Sequence, residues 1–498
     1  MKTPGLNPYL PFWETVPDGE PHVFGDRIYI YGSHDKRRGT SFCEEDYVCW
    51  SAPAEDPGDW KYEGIIYKKM QDPLNGAPYA KKLPEIDLPM GTEEHPHLLY
   101  APDVARGPDG RYYLYYALDF VNVISVAVCD TPAGQYEFLD FVRREDGTVP
   151  DVGRWFDPAI LSEESGNYLY YGFAPEQKFP GMEDVVFPGA MMVRLASDMH
   201  TIVSEPKCVA NGVDTAKGTD YEAHPFFEAS SIRKIGTWYY FVYSSLQGNE
   251  LCYGMADSPE GPFAYQGVIV SNGDLGYQGN TLAVNYTGNN HGGLEVIGDK
   301  VYIFWHRHTH GTAFSRQGCA DEVKFLEDGT IPQIEITSCG LSGGSLPAKG
   351  QYQTYIACHL TEKDRTKVGQ VVMCGPGEAL PELPGEMPYI TEEADGAGEK
   401  GLKPYIHNLR TGAAAGFKHF QFDGTETRIA LELRGKGTVE ILLDSPDPDE
   451  GTLAGTAESD SDAWEIQAAG LRADAGKHAL YFRVKEGILD FASFEIHG

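Results

Sequence analysis

The chain has 498 residues, more than one ordinary domain of roughly 150 holds, and 41% hydrophobic with 12% aromatic content excludes a mainly disordered polymer. Lys and Arg number 40 against 74 Asp and Glu, a formal charge of −34. Such a surface repels phosphate backbones and anionic lipid, which argues against nucleic-acid and membrane partners and leaves neutral sugars open.

No run of 18 apolar residues occurs, and Pro4, Pro8 and Pro11 break the start where a leader needs an unbroken apolar stretch, so a cytoplasmic location is expected. The nine cysteines form no CxxC pair, which points to reduced structural thiols rather than a disulfide framework or a zinc knuckle. Helical periodicity is scarce, and short aromatic and β-branched runs bounded by Gly, Asp and Pro predict an all-β chain. In chain order, a turn glycine followed by a Tyr-rich run recurs as GDRIYIYGS at Gly25, GRYYLYYA at Gly110, GNYLYYG at Gly166, GTWYYFVYSS at Gly236 and GDKVYIFWHR at Gly298. The spacings are 85, 56, 70 and 62 residues, which suits one four-stranded antiparallel unit per repeat with loops of variable length. Five copies predict a five-bladed β-propeller over residues 1–340. The segments 63–100 and 174–225, rich in Pro, Gly and charge, are expected to rise as loops around its mouth. After SCGLSGG (338–344) the repeat stops, and alternating runs such as RIALELRG, TVEILLD and HALYFRVK predict a jelly-roll-like antiparallel β-sandwich over 346–498.

A strongly polar residue precedes each turn glycine: Asp18 and Asp103 by seven residues, Asp157 by nine, Glu228 by eight and His291 by seven. The innermost strands of a propeller surround its axis, so these positions are expected to converge. Gathered like charges cost energy unless protons, a cation or a catalytic task exploits them. One ionised carboxylate to activate water and one protonated carboxyl for the leaving oxygen, roughly 6.5–9.5 Å apart, are what inverting glycoside hydrolysis needs. Phe12, Trp13, Trp155, Phe156 and Phe226 flank the acids, as sugar-stacking rings or as core.

The stretches VPDGEPHVFGDRIYIYGSHD, YAPDVARGPDGRYYLYY, FDPAILSEESGNYLYYG, FEASSIRKIGTWYYFVYS and NHGGLEVIGDKVYIFWHR resemble successive blade motifs of glycoside hydrolase family 43, over residues 5–340. The resemblance implies a five-bladed propeller that hydrolyses arabinosyl and xylosyl linkages with inversion. Asp18 matches the general base, Asp157 the aspartate that orients the acid and raises its pKa, and Glu228 the general acid. Departures are Gly19 after the base, Ala229-Ser230 after the acid, and Tyr100 where a tryptophan is frequent. At His291 the resemblance implies a weakly held calcium completed by waters, with a buried core histidine as the alternative. Asp103 is read as structural or water-holding, and Trp13, Tyr100, Phe156 and Arg307 as substrate contacts. No organic cofactor is expected.

In the C-terminal part, PYI (388–390), AGFKHFQFDG (415–424) and ILDFASFEI (488–496) resemble carbohydrate-binding module family 6. Ile488 stands where related modules carry an asparagine, so sugar binding and a structural, pocket-shaping role both stay open, and Asp490 is a candidate for a structural calcium. The leading expectation is an exo-acting, inverting glycosidase that releases terminal α-L-arabinofuranosyl units from oligosaccharides. A β-xylosidase follows, then a galactofuranosidase; a non-catalytic sugar-binding propeller is the alternative from another class.

Overall fold

The computed structural model describes residues 5–76, 90–178, 185–369, 371–374 and 386–498. Among them there is no α-helix, only short 3-10 turns between strands. Four antiparallel four-stranded sheets follow one another: β1–β4 (Glu20–Phe24, Arg27–Tyr31, Tyr47–Pro53, Lys61–Tyr67), β5–β8 (Asp103–Arg106, Tyr112–Ala117, Ile124–Cys129, Glu137–Phe141), β9–β12 (Ala159–Glu163, Gly166–Tyr171, Gly189–Leu195, Lys207–Asn211) and β13–β16 (Phe226–Ile235, Trp238–Ser245, Glu250–Ala256, Ala264–Ser271). A fifth sheet has three strands, β17–β19 (Leu294–Ile297, Lys300–His308, Arg316–Val323). The first strands β1, β5, β9, β13 and β17 touch in that order, and β17 touches β1, so the sheets close into a five-bladed propeller. The N-terminal segment latches the ring. Asn7 donates to the Ala320 carbonyl at 3.0 Å and accepts from its amide at 2.8 Å, and the Tyr9 amide reaches the Gly318 carbonyl at 3.2 Å, all along β19.

The Tyr-rich repeat has a packing cause. The second strand of each blade lies between two neighbouring blades, so alternate side chains enter different cores. Tyr113 and Tyr115 pack toward the third blade, whereas Leu114 and Tyr116 pack toward the first. On β14, Phe241 and Tyr243 face the third blade, and Tyr240 and Val242 face the fifth. A strand buried on both faces reads as a continuous apolar run. The glycines that open these hairpins are there for conformation, not for room. Gly25, Gly236 and Gly298 have φ of 68°, 63° and 66°, with open space where a Cβ would stand.

The C-terminal sheet comprises β20 (Leu346–Pro347), β21 (Gly350–Gln353), β22 (His359–Thr361), β23 (Tyr389–Ala394), β24 (Leu402–Arg410), β25 (Ala414–Phe422), β26 (Arg428–Leu443), β27 (Thr452–Gly470) and β28 (Gly476–His497). Its spine is β28. Strand β26 pairs along one edge, while β25, β24 and β21 occupy successive stretches of the other. The sheet thereby curls into a sandwich around Phe417, Phe482, Phe491 and Phe494. The expected loop 174–225 is corrected: it holds β11 and β12, because Ala190-Met191-Met192-Val193 is buried between blades, and its residues 179–184 lie outside the described ones. Segment 63–100 finishes β4 and continues through two 3-10 turns, with 77–89 outside the described residues.

Candidate active site

Hairpin register places the site. The last paired residues of the five first strands are Phe24, Arg106, Glu163, Ile235 and Ile297. Six residues before four of them stand Asp18, Tyr100, Asp157 and His291. Seven before Ile235 stands Glu228, on a strand with register shifts either side of it; such bulges re-aim side chains. All five side chains line one cavity of about 740 Å³. The expected convergence therefore holds for Asp18, Asp157, Glu228 and His291, and Asp103 is corrected. The turn in the second blade spans Arg106 to Tyr112, against Phe24 to Arg27 in the first, so a count back from Gly110 stops three residues too deep and misses Tyr100. Asp103 instead lies in a sealed cluster, where it pairs with His22 at 2.6 Å and accepts the Ile160 amide at 2.7 Å.

Asp18 (φ 55°) and Asp157 (φ 44°) both hold the left-handed backbone region just before their strands. Such residues cost about 1–3 kcal/mol each and gather where function over-determines the geometry. Both oxygens of Asp18 accept from Arg316 Nη1, at 3.0 and 3.2 Å, and His306 Nδ1 lies 3.2 Å from Oδ1. Arg316 is fixed in turn by Asp35, through Nε and Nη2 at 2.9 Å each. Burial opposes ionisation at Asp18, yet the Arg316 guanidinium, aided by His306, holds its carboxyl well below the usual range.

The other two acids go the opposite way. Burial pushes Glu228 up to about 8, with the charge of Asp18 adding and Arg316 opposing. Burial also pushes Asp157 well above its ordinary value, with Glu228 and then Asp18 adding, while the Ala229 amide donating to Oδ2 at 2.9 Å opposes. The sequence reading assigned the lift at Glu228 to Asp157; in the structure burial comes first, and Glu228 stands in mutual repulsion with both Asp157 and Asp18. His291, with Nδ1 3.7 Å from Asp157 Oδ2, is pushed down to about 4 by burial.

Tyr100 and Phe156 line the cavity, their ring centroids 5.3 Å apart. Two expected substrate contacts do not. Trp13 donates from Nε1 to Glu399 at 2.8 Å with the Lys400 ammonium 4.6 Å over its ring, so it packs against the C-terminal part. Arg307 donates to Gln317 and to the carbonyls of Ala357 and Tyr355. The reason is strand alternation: neighbours on β18 point to opposite faces, so His306 faces Asp18 and Arg307 faces away. The arginine that meets Asp18 is Arg316, opposite His308 in the β18–β19 pairing. Its signal lay in that hairpin, which the turn-glycine count does not reach. Phe12, Trp155 and Phe226 are core: Phe12 packs on Tyr355, Trp155 stacks on Tyr171 at 3.8 Å, and Phe226 is fully buried. Walls that sequence reasoning missed are Leu118, Phe120, Val121, Arg154, Phe173, Phe187 and Phe227, with Val371 and Met373 contributed from beyond the propeller.

The family 43 glycosyl hydrolase model matches residues 82–331, which include Asp157, Glu228, His291 and Arg316 but not Asp18. A xylosidase/arabinosidase of Thermoclostridium stercorarium is 44% identical over 513 residues, covering 100% of this chain and 99% of that protein. The chain belongs to glycosyl hydrolase family 43. It is a glycoside hydrolase. A xylosidase/arabinosidase of Bacteroides ovatus is 30% identical over 354 residues, covering 66% of this chain and 97% of its own. Among solved structures, a family 43 β-xylosidase/α-arabinofuranosidase from a compost microbial metagenome, described as a calcium-free form with xylotriose, superposes with a TM-score of 0.51 at 24% identity. It covers 67% of this chain and 98% of its own.

The calcium expected at His291 finds no protein cage. Calcium takes 6–8 oxygen ligands, and His291 offers one nitrogen beside the Asp157 carboxyl, which burial drives toward its neutral form. Among the described residues, the side-chain groups able to grip a metal together are Glu20–His22–Asp103 and His224–Glu250–Cys252, and neither contains His291. The calcium expectation at Asp490 is corrected: His407 at 2.8 Å, Arg434 at 2.7 and 3.1 Å and the Asn408 amide at 3.1 Å occupy its oxygens.

Proposed function

We propose that this family 43 hydrolase is an inverting exo-glycosidase that removes terminal α-L-arabinofuranosyl units from arabinose-containing oligosaccharides. The observation that carries this reading is one cavity lined both by Asp18, which Arg316 grips at 3.0 and 3.2 Å, and by Glu228, which desolvation drives toward its neutral form. Asp18 takes the proton of a water that attacks the anomeric carbon, and Glu228 gives its proton to the departing glycosidic oxygen. Asp157 is a positioning residue: its carboxyl holds the Ala229 amide, and so the bulge that aims Glu228. Arg316 keeps Asp18 ionised. Calcium near His291 would be held chiefly by water.

A β-xylosidase is the second reading, favoured by the dual name of the relative at 44% identity. The deciding experiment follows the first-formed sugar by proton NMR on nitrophenyl arabinofuranoside and nitrophenyl xyloside. Inversion, with the arabinofuranoside turned over faster, is expected. Retention would overturn the base assignment to Asp18, and a faster xyloside would reverse the order of the two substrates.

A further inference from the structure

Buried or half-buried arginines in this protein are otherwise engaged. Arg233 pairs with Glu20 and Glu295, Arg307 with Gln317 and two carbonyls, Arg316 with Asp18 and Asp35, and Arg434 with Asp490 and Glu393. Arg154 differs. It is half-buried in the wall of the active cavity, and among the described residues it makes no ion pair or hydrogen bond. Burial lowers its pKa with no carboxylate to offset the loss of hydration. Its companions in the wall are mostly apolar: Leu118, Phe120, Val121, Phe173 and Phe187. The wall carboxylate Asp119 is already taken by the Leu98 amide at 2.6 Å and His97 at 3.3 Å.

A guanidinium taken from water without a partner is costly, and its planar fork matches a carboxylate in a bidentate grip. Depth says which part of a substrate it meets. Asp18, Asp157 and His291 are buried, Arg154 and the acid Glu228 are half-buried, and Phe120 and Met373 are 77% and 60% exposed. In an exo-acting pocket the sugar being released fills the floor, so a residue higher on the wall faces the leaving group.

We propose that Arg154 is a specificity-determining residue that grips the carboxylate of a uronic acid carried on the leaving-group side of the oligosaccharide. This rests on the exo-hydrolase reading above. The enzyme would then accept acidic branches that its overall negative charge disfavours at long range. Screening at physiological salt confines that long-range repulsion to about 8 Å, so a local cation decides.

The test compares an oligosaccharide bearing one uronic acid next to the scissile bond with its methyl ester, which keeps every oxygen except the charge. A hydrogen-bonded charge pair is worth about 1.5–3 kcal/mol, so the wild type should favour the acid about 10- to 100-fold in kcat/KM. Arg154→Met should bring the ratio near one, Arg154→Lys should keep part of it, and raised salt should shrink it. Equal cleavage of acid and ester by the wild type, or a preference that survives Arg154→Met, overturns the proposal. Calorimetric binding of both compounds to Asp18→Asn reads the same preference without turnover. A preference there beside an inactive wild type would condemn the hydrolytic reading and keep Arg154; its absence there would condemn the role of Arg154.

Discussion

Glu20 and Glu228 form an instructive pair. Glu20 is buried and Glu228 half-buried, both stem from the innermost strands of the propeller, and desolvation pushes both up to about 8. Their surroundings differ. Glu20 sits among Ser231, Arg233, His22 and Asp103, drawn from three blades, and none of these lines the active cavity. Glu228 lines the pocket, beside a carboxylate that Arg316 keeps ionised. A displaced pKa is thus common wherever charge is sealed on the axis. Catalytic use needs access and an oppositely tuned partner.

The largest expected effect breaks that partnership. Asp18→Asn removes the group that takes the proton from water while leaving Arg316 held by Asp35, so kcat should fall by at least about 10²–10⁴-fold with the fold retained. Near wild-type turnover by a purified, folded variant would take Asp18 out of the chemistry.

Glu228→Gln should cost about 10²–10⁴-fold on a natural oligosaccharide, whose leaving alcohol needs a proton, and far less on a dinitrophenyl glycoside. In the wild type the same carboxyl predicts a basic limb near pH 8, because activity needs it protonated and that form is lost as pH rises through about 8. The acidic limb should lie low, since Asp18 stays ionised well below its ordinary range. Equal losses on both substrates, or a basic limb far from 8, would remove Glu228 as the acid.

Asp103→Asn probes the sealed cluster. It should destabilise the protein by about 1.5–3 kcal/mol, because an amide cannot accept from both His22 and the Ile160 amide as the carboxylate does. Turnover per folded molecule should change less than about twofold. Denaturant midpoints and active-fraction kinetics measure the two; a collapse of kcat at unchanged stability would show that the lower cluster feeds the upper one.

The blades were legible because each second strand is buried on both faces, which writes an unbroken aromatic run after a glycine that must adopt positive φ. Asp18, Asp157, Glu228 and His291 were legible for the same reason: a strand start is tied to its hairpin by short, regular register. Tyr100, not Asp103, holds the second blade's place in the cavity because three extra turn residues shift the count, and a turn's length is visible only once its strands are paired. Arg307 and Arg316 illustrate the other limit. Which arginine meets Asp18 depends on which face of a blade looks toward the axis, and the alternation of β18 sends Arg307 away while the next strand returns Arg316 to the floor.

By itself the sequence determined the bladed architecture and the polar positions at the strand starts, since those follow from local periodicity and near-regular spacing, while the chemistry was implied by the resemblance of the blade motifs to family 43. The tertiary structure decided which arginine holds Asp18, and which rings and cation form the walls. Those are settled by contacts between residues as far apart as Asp18 and Arg316, and by walls drawn from segments as distant as Phe120 and Met373. Electrostatic energy falls with distance and rises as water is excluded, and only the closed ring of blades sets either quantity.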